Sequence, residues 1–219
     1  IKSVVSTQQI TKAMKMVSAA KLRKAQTAIT EMRPYAEKLD KMLKNILANL
    51  DSEANTSFGI EREVKSLAIV VVTSSRGLCG AFNTNIIKTA IARLEGEYKP
   101  LLDAGKVEIV CIGKKGFDIM RKRYKAELVN SEFVHLFSDL SFNNISTVSQ
   151  YIMDNFQNGK FDKVEVCYGQ FKNAGMQFPI AAQYLPVAKP DLSKNLEIAK
   201  QKVDYIFEPG QIELLEELV

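Results

Sequence analysis

The first 50 residues, Ile1 to Leu50, contain no glycine and a single proline, Pro34. Wound as one helix, such a stretch is roughly 75 Å long at 1.5 Å rise per residue. A compact fold of this chain length has a radius of gyration of only about 17 Å. Most of the helix therefore has to pack against something other than one compact core.

Its apolar positions indicate how. Ala25, Ala28, Met32, Tyr35, Leu39, Met42 and Ile46 alternate steps of three and four, the seam of a coiled coil, which one further helix would complete. Ile10, Met14 and Val17 hold the same spacing upstream, and Ser18, Ala19 and Ala20 are small enough for another backbone to approach. Pro34 removes one helical hydrogen bond and is expected to kink the rod or split it.

Charge singles out the same stretch. Residues 1–30 carry Lys2, Lys12, Lys15, Lys21, Arg23 and Lys24 and no acid, whereas the remaining 24 basic and 25 acidic residues nearly cancel. All of the net charge of +5 thus lies at the start of the helix. An acidic partner surface would account for it. So would a solvated lysine-rich face, since lysine is a good helix former.

The 219 residues, 46% hydrophobic, suffice for one core plus a rod. No run reaches the roughly 20 apolar residues of a membrane span, and no signal peptide is visible. The chain starts at Ile1 without an initiator methionine, so its native start is expected to lie upstream. Cys79, Cys111 and Cys167 are scattered singly, which argues for a reducing compartment and against a disulfide framework or a zinc site.

Beyond Asp51 the helical pattern gives way to a polar stretch. Leu67 to Val72 is an unbroken, largely β-branched run, expected as a central strand of a parallel sheet. The loop Thr73 to Asn83 follows, with Gly77 and Gly80, and then helical periodicity through Ile86, Ile87, Ala90, Ile91 and Leu94. Strand, glycine loop and helix is a layout that cradles phosphates. However, the loop fits neither common nucleotide fingerprint, which favours a tight turn needing both glycines. Val107 to Ile112 repeats the strand, and Gly113-Lys114-Lys115-Gly116 opens a short helix, expected over Phe117 to Arg123. A short extended piece is expected around Ala126 to Val129. A helix is expected from Phe142 to Phe156, with Ile145, Val148, Ile152 and Phe156 on one face, stopped at Asn158-Gly159. Lys163 to Tyr168 alternates as a strand with one buried face, and Gln177 to Leu185 pairs with it through a turn at Ala174-Gly175. The sum is an open α/β sheet with antiparallel strands at one edge.

Candidate chemistry is sparse. The single histidine, His135, lies among apolar residues with no second His or Cys near it, which suits a core or turn role. No nucleophile arrangement or carboxylate pair stands out. At the far end, Asp204 to Gly210 is expected as a strand or turn, and Gln211 to Val219 as the start of a helix with Ile212, Leu215 and Val219 on one stripe.

Four segments, in order, carry a resemblance. They are Ser6 to Gln26 (STQQITKAMKMVSAAKLRKAQ) with Arg33-Pro34-Tyr35, the loop Ser75-Arg76-Gly77-Leu78-Cys79-Gly80 with Asn83, and Tyr205-Ile206-Phe207-Glu208-Pro209. In this order and spacing the chain resembles the γ subunits of the rotary proton-translocating ATP synthase over essentially its whole length. The resemblance implies a long N-terminal helix, half of an antiparallel coiled coil, joined to a Rossmann-like open α/β domain. The divisions expected are 1–57 for the shaft helix, 58–209 for the α/β domain and 210–219 for the start of a truncated C-terminal helix, so the chain is expected to be a fragment that self-associates through its open seam.

The resemblance also implies a rotor without catalytic, cofactor or metal sites of its own, since nucleotide sites in this family belong to α and β. Lys12, Met14, Lys15, Arg23 and Lys24 would lie near the acidic collar of the β subunits, with Arg76, Gly77, Cys79 and Gly80 close to the same region. Phe207 and Glu208 would sit near the membrane rotor ring, and a face of the α/β domain would hold ε. No nucleic-acid partner and no direct membrane insertion are implied, and the location would be the cytoplasmic face of the bacterial inner membrane, or its organellar equivalent. The dithiol insertion of some chloroplast members has no counterpart, so redox control is not expected. Two competing readings are a nucleic-acid binder, weakened because residues 1–30 have no aromatic residue, and a small nucleotide enzyme, weakened by both glycine loops.

Overall fold

The computed structural model describes residues 1–49, 58–59 and 61–188. The chain divides into two compact units, one built on the N-terminal helix and the other spanning Asp51–Asp191.

Helix α1 runs from Lys2–Asn49 as a single 48-residue element with Pro34 inside it. The rod is therefore not split at Pro34. Thr7, Thr11 and Thr30 bond their hydroxyls back to the carbonyls of Ser3, Thr7 and Gln26 at 2.8–3.0 Å, so these polar side chains are satisfied within the helix. Leu39 and Met42 are half-buried and Ile46 is buried, but Met32 and Tyr35 are exposed. Ile10, Met14 and Val17 are exposed as well.

The second unit is a five-stranded sheet of order β3-β2-β1-β4-β5. The strands are β1 (Leu67–Val72), β2 (Val107–Ile112), β3 (Val129–Asn130), β4 (Lys163–Asn173) and β5 (Met176–Leu185). All neighbours are parallel except β4 and β5, the antiparallel hairpin at one edge. Between them lie α2 (Phe82–Glu95), a five-residue α3 (Lys99–Asp103), α4 (Lys114–Arg123) and α5 (Phe142–Gln157). Helix α4 begins at Lys114, one turn before the expected Phe117. Helix α5 ends as expected, with Gly159 in the left-handed region at φ +72° and its amide bonded to the Phe156 carbonyl.

Alternation along β1 and β2 divides the core. Leu67, Ile69, Val71, Val107, Ile109 and Cys111 pack with Ile86, Ala90 and Leu94 of α2 and Met120 of α4. Their alternates face the other side, where α5 buries Val148, Ile152 and Phe156, and Phe58 stacks on Phe156 at 6.4 Å. Complete burial of each large aliphatic side chain stabilises by about 1.5–3 kcal/mol. Ile145, expected on the same α5 stripe, is partly exposed.

Strand β4 departs from the expected single buried face. Both of its faces are covered, with Val164 buried on one and Glu165 and Cys167 on the other, and Glu165 is only 3% exposed. Arg93 of α2 grips it through Nε at 2.9 Å and Nη2 at 2.6 Å, and the Tyr98 hydroxyl donates a third bond. Burial alone would raise the Glu165 pKa, but these bonds outweigh it and hold the carboxyl below its usual range.

Candidate partner-contact surfaces

Residues 1–25 of α1 are exposed without exception, on every side of the helix. At 100° per residue, Lys12, Lys15 and Arg23 share one face. Met14 lies on the opposite side with Lys21, and Lys24 falls between. The five candidate contact residues of this helix are thus distributed around it and not gathered into one stripe. Val4, Ile10, Met16 and Val17 are exposed among them, so apolar and cationic groups alternate around the whole circumference.

The second candidate surface is the loop at the carboxyl end of β1. Arg76, Gly77, Leu78, Cys79 and Gly80 are brought together and all exposed. The loop is held by Asn83, whose Oδ1 accepts from the Ser74 amide at 2.9 Å. Its Nδ2 donates to Ser74 Oγ at 2.8 Å and to Cys79 Sγ at 3.1 Å. Ser74 Oγ donates to the Arg76 carbonyl at 2.5 Å.

Only one of the two glycines meets the expected backbone need. Gly80 lies at φ +57°, but Gly77 does not have a positive φ, and a Cβ there would make only ordinary contact with Lys115 at 3.8 Å. Leu78, which sequence spacing did not single out, takes the left-handed position at φ +63° with its side chain wholly in solvent. A non-glycine residue in that region is strained by about 1–3 kcal/mol, and no local sequence signal announces a leucine there.

The lysine pair between glycines is explained by packing. Gly113, at φ +95°, passes so close to β1 that an added Cβ would sit 2.0 Å from the Thr73 carbonyl oxygen. The Gly116 amide donates to Thr73 Oγ1 at 2.8 Å, the Lys115 amide to the Ser74 carbonyl at 3.2 Å, and the Gly113 amide to the Val134 carbonyl at 3.2 Å. The Lys115 and Gly116 amides at the start of α4, of the kind a phosphate would require, are committed inside the fold.

Other residues of interest are structural. His135 is exposed at the start of a 3-10 turn, where its carbonyl accepts from the Ser138 amide. Cys111 and Cys167 are buried, which pushes each thiol up to about 12, while Cys79 is exposed. Among the described residues no group of three His, Cys, Asp or Glu is placed to hold a metal ion, and no helix is long and apolar enough to cross a membrane. Phe207 and Glu208 lie outside the described residues, as do the expected turn at 204–210 and helix at 211–219.

Known proteins resemble the chain over its whole length. A family model described as ATP synthase matches residues 1–219. A gamma chain of ATP synthase from Cytophaga hutchinsonii is 51% identical over 219 residues, covering all of this chain and 73% of that one. The gamma chains of Christiangramia forsetii and Flavobacterium psychrophilum are 45% and 46% identical, with all of this chain and 72% of each relative covered. Among solved structures, the central stalk and c-ring of the Tetrahymena thermophila mitochondrial ATP synthase superposes with a TM-score of 0.60 at 22% identity, over 95% of this chain and 84% of that one. At that identity the likeness speaks for the fold alone.

Proposed function

From the chain's membership of the ATP synthase gamma chain family, we infer that its two exposed surfaces are contact surfaces of a turning shaft. The gamma chain is the central rotor stalk of the enzyme and is not itself catalytic; the catalytic sites lie in the β subunits. Rotation of the stalk couples ion flow through the membrane ring to ATP synthesis or hydrolysis.

The observation that carries the contact reading is the spread of Lys12, Lys15, Lys21, Arg23 and Lys24 around one continuous helix. A helix that turns inside a sleeve meets its surroundings in all directions, and cations spread around it suit an acidic collar at every angle. Exposed ion pairs are worth only about 0–1 kcal/mol each, so they exchange without trapping the shaft. An asymmetric shaft touches the three β subunits differently and biases each towards a different conformation.

In this reading Lys12, Met14, Lys15, Arg23 and Lys24 meet the α/β ring, together with Arg76, Gly77, Cys79 and Gly80 at the glycine loop. Phe207 and Glu208 are assigned to the rotor ring, and ε to one face of the α/β unit. The stalk would work at the cytoplasmic face of the bacterial inner membrane. The three shaft divisions, 1–57, 58–209 and 210–219, belong to the same proposal.

The test is to tag the native full-length protein, extract membranes gently and identify what copurifies. Recovery of α, β, ε and ring subunits in one ATP-hydrolysing complex is expected. Recovery of the chain alone, or with nucleic acid, would overturn the assignment.

A further inference from the structure

Outside the carboxyl ends of β2 and β3 lies a cavity of about 380 Å³ that neither contact surface uses. Ligands of open α/β sheets sit at that end of the strands, and the volume falls within the range of small-molecule sites. It equals about a dozen water volumes, more than a bare ion fills. Two segments form the walls. Lys114, Phe117, Asp118 and Arg121 come from α4, directly after β2, and Ser131, Val134 and His135 from the turn directly after β3. The Gly113 amide donates to the Val134 carbonyl at 3.2 Å and ties one wall to the other, so the cavity is a fixed part of the fold.

Charge in this cavity is lopsided. Asp118, the single carboxylate among the lining residues, is drawn to Arg121 at 3.6 Å, and Arg121 is further held over the Phe117 ring at 5.2 Å. The Lys114 ammonium, the Ser131 hydroxyl and the His135 imidazole, by contrast, have no hydrogen bond or ion pair among the described residues. Only the carbonyl of His135 is used in its turn. Each of the three side chains can donate a hydrogen bond. Glu132, next to Ser131, lines the separate groove along α5 and does not offset them. The surroundings carry the same sign, since residues 114–125 hold six lysines and arginines against Asp118 alone. Such a field concentrates small anions. Phe117 and the buried Val134 add an apolar wall.

We propose that this cavity binds a small phosphate monoester, with Lys114, Ser131 and His135 on its phosphate oxygens and Phe117 and Val134 against its organic body. A phosphate monoester presents three acceptor oxygens, one for each of the three donors, whereas a carboxylate presents two. The Lys115 and Gly116 amides are already taken, so side chains hold the phosphate and the helix N-terminus does not. The site needs no partner subunit and no rotation, and it stands or falls apart from the stalk reading.

His135 is the only histidine of the 219-residue chain, so its imidazole Cε1–H resonance is a reporter placed in the cavity. The untagged chain carrying ¹³C-labelled histidine is titrated with AMP, with adenosine, and with vesicles of phosphatidic acid in phosphatidylcholine. AMP is expected to move the resonance saturably, with half-saturation below about 1 mM, and adenosine to leave it in place. Lys114→Gln should raise the half-saturation about tenfold, as the loss of one charged hydrogen bond implies, with an unchanged melting temperature because the side chain is exposed. Lys122→Gln removes an equal charge from the same helix outside the cavity and should change the half-saturation by no more than about twofold. A response to the vesicles alone, abolished by Lys114→Gln, would uphold the site and identify the ester as a lipid headgroup. No saturable movement with AMP or vesicles, equal responses to AMP and adenosine, or equal effects of the two lysine variants would overturn the proposal.

Discussion

Replacing Glu165 with glutamine tests how the sheet tolerates a carboxylate at its centre. The substitution keeps shape and removes charge, leaving the Arg93 guanidinium facing an amide. Breaking a buried ion pair by removing one partner costs about 3–5 kcal/mol. Here the loss is smaller, because Arg93 is 33% exposed and keeps Glu97 at 2.7 Å. A loss of about 2 kcal/mol is expected, or about 6 °C in melting temperature for a domain of this size. Urea unfolding of the full chain followed by tyrosine fluorescence reads it directly, since there is no tryptophan and Tyr98 bonds to Glu165. The pH dependence gives an independent check. Because Glu165 titrates below its ordinary 4.5 in the fold, its stabilisation is present above that pH and is lost as pH falls through the folded value. The gap between wild type and Glu165→Gln should therefore close in acid. A gap below about 0.5 kcal/mol at pH 7, on the scale of an ordinary surface change, or one that widens as the pH falls, would refute the reasoning.

Gly80→Ala should cost about 1 kcal/mol for its left-handed backbone while Gly77→Ala stays within about 0.5 kcal/mol, and Gly113→Ala should cost the most of the three, all read by urea midpoints. A maleimide should label Cys79 in the folded chain within minutes but reach Cys111 and Cys167 only on unfolding, as counted by mass spectrometry. The triple variant Lys12→Gln, Lys15→Gln, Arg23→Gln should bind the α/β ring less tightly at low salt, by about 0–1 kcal/mol per lost pair, and approach wild type at high salt in a titration of ionic strength.

The sheet was legible wherever a single local rule decided the outcome. The runs at 67–72 and 107–112 matched their strands to the residue because β-branched continuity decided both, helped at the second by Gly105 and Gly113. The hairpin at Ala174-Gly175 and the stop at Gly159 followed from turn chemistry. Helix α3 was missed because five residues carry no period. Glu165 read as an outward residue of an alternating strand, since its partner Arg93 is 72 positions away and nothing local signals the pair. Leu78 escaped notice because its backbone contradicts its residue type. The candidate cations of α1 were legible as a cluster in sequence, but their distribution around the helix emerges only once residues 12–24 are wound into one helix.

The clamp between the glycine loop and α4 determines where a push on the loop would go. Ser74 and Thr73 are tied to Lys115 and Gly116, and Thr73 continues directly into β1. A sideways force on Leu78 would be handed to the middle strand of the sheet, which is laddered to a parallel neighbour on each side. Drawn along its own axis, such a strand has to break both ladders together, as a sheared joint does, and cannot open one bond at a time like a zip. The loop is therefore anchored at a mechanically stiff point of the unit, and load applied there is passed to the core.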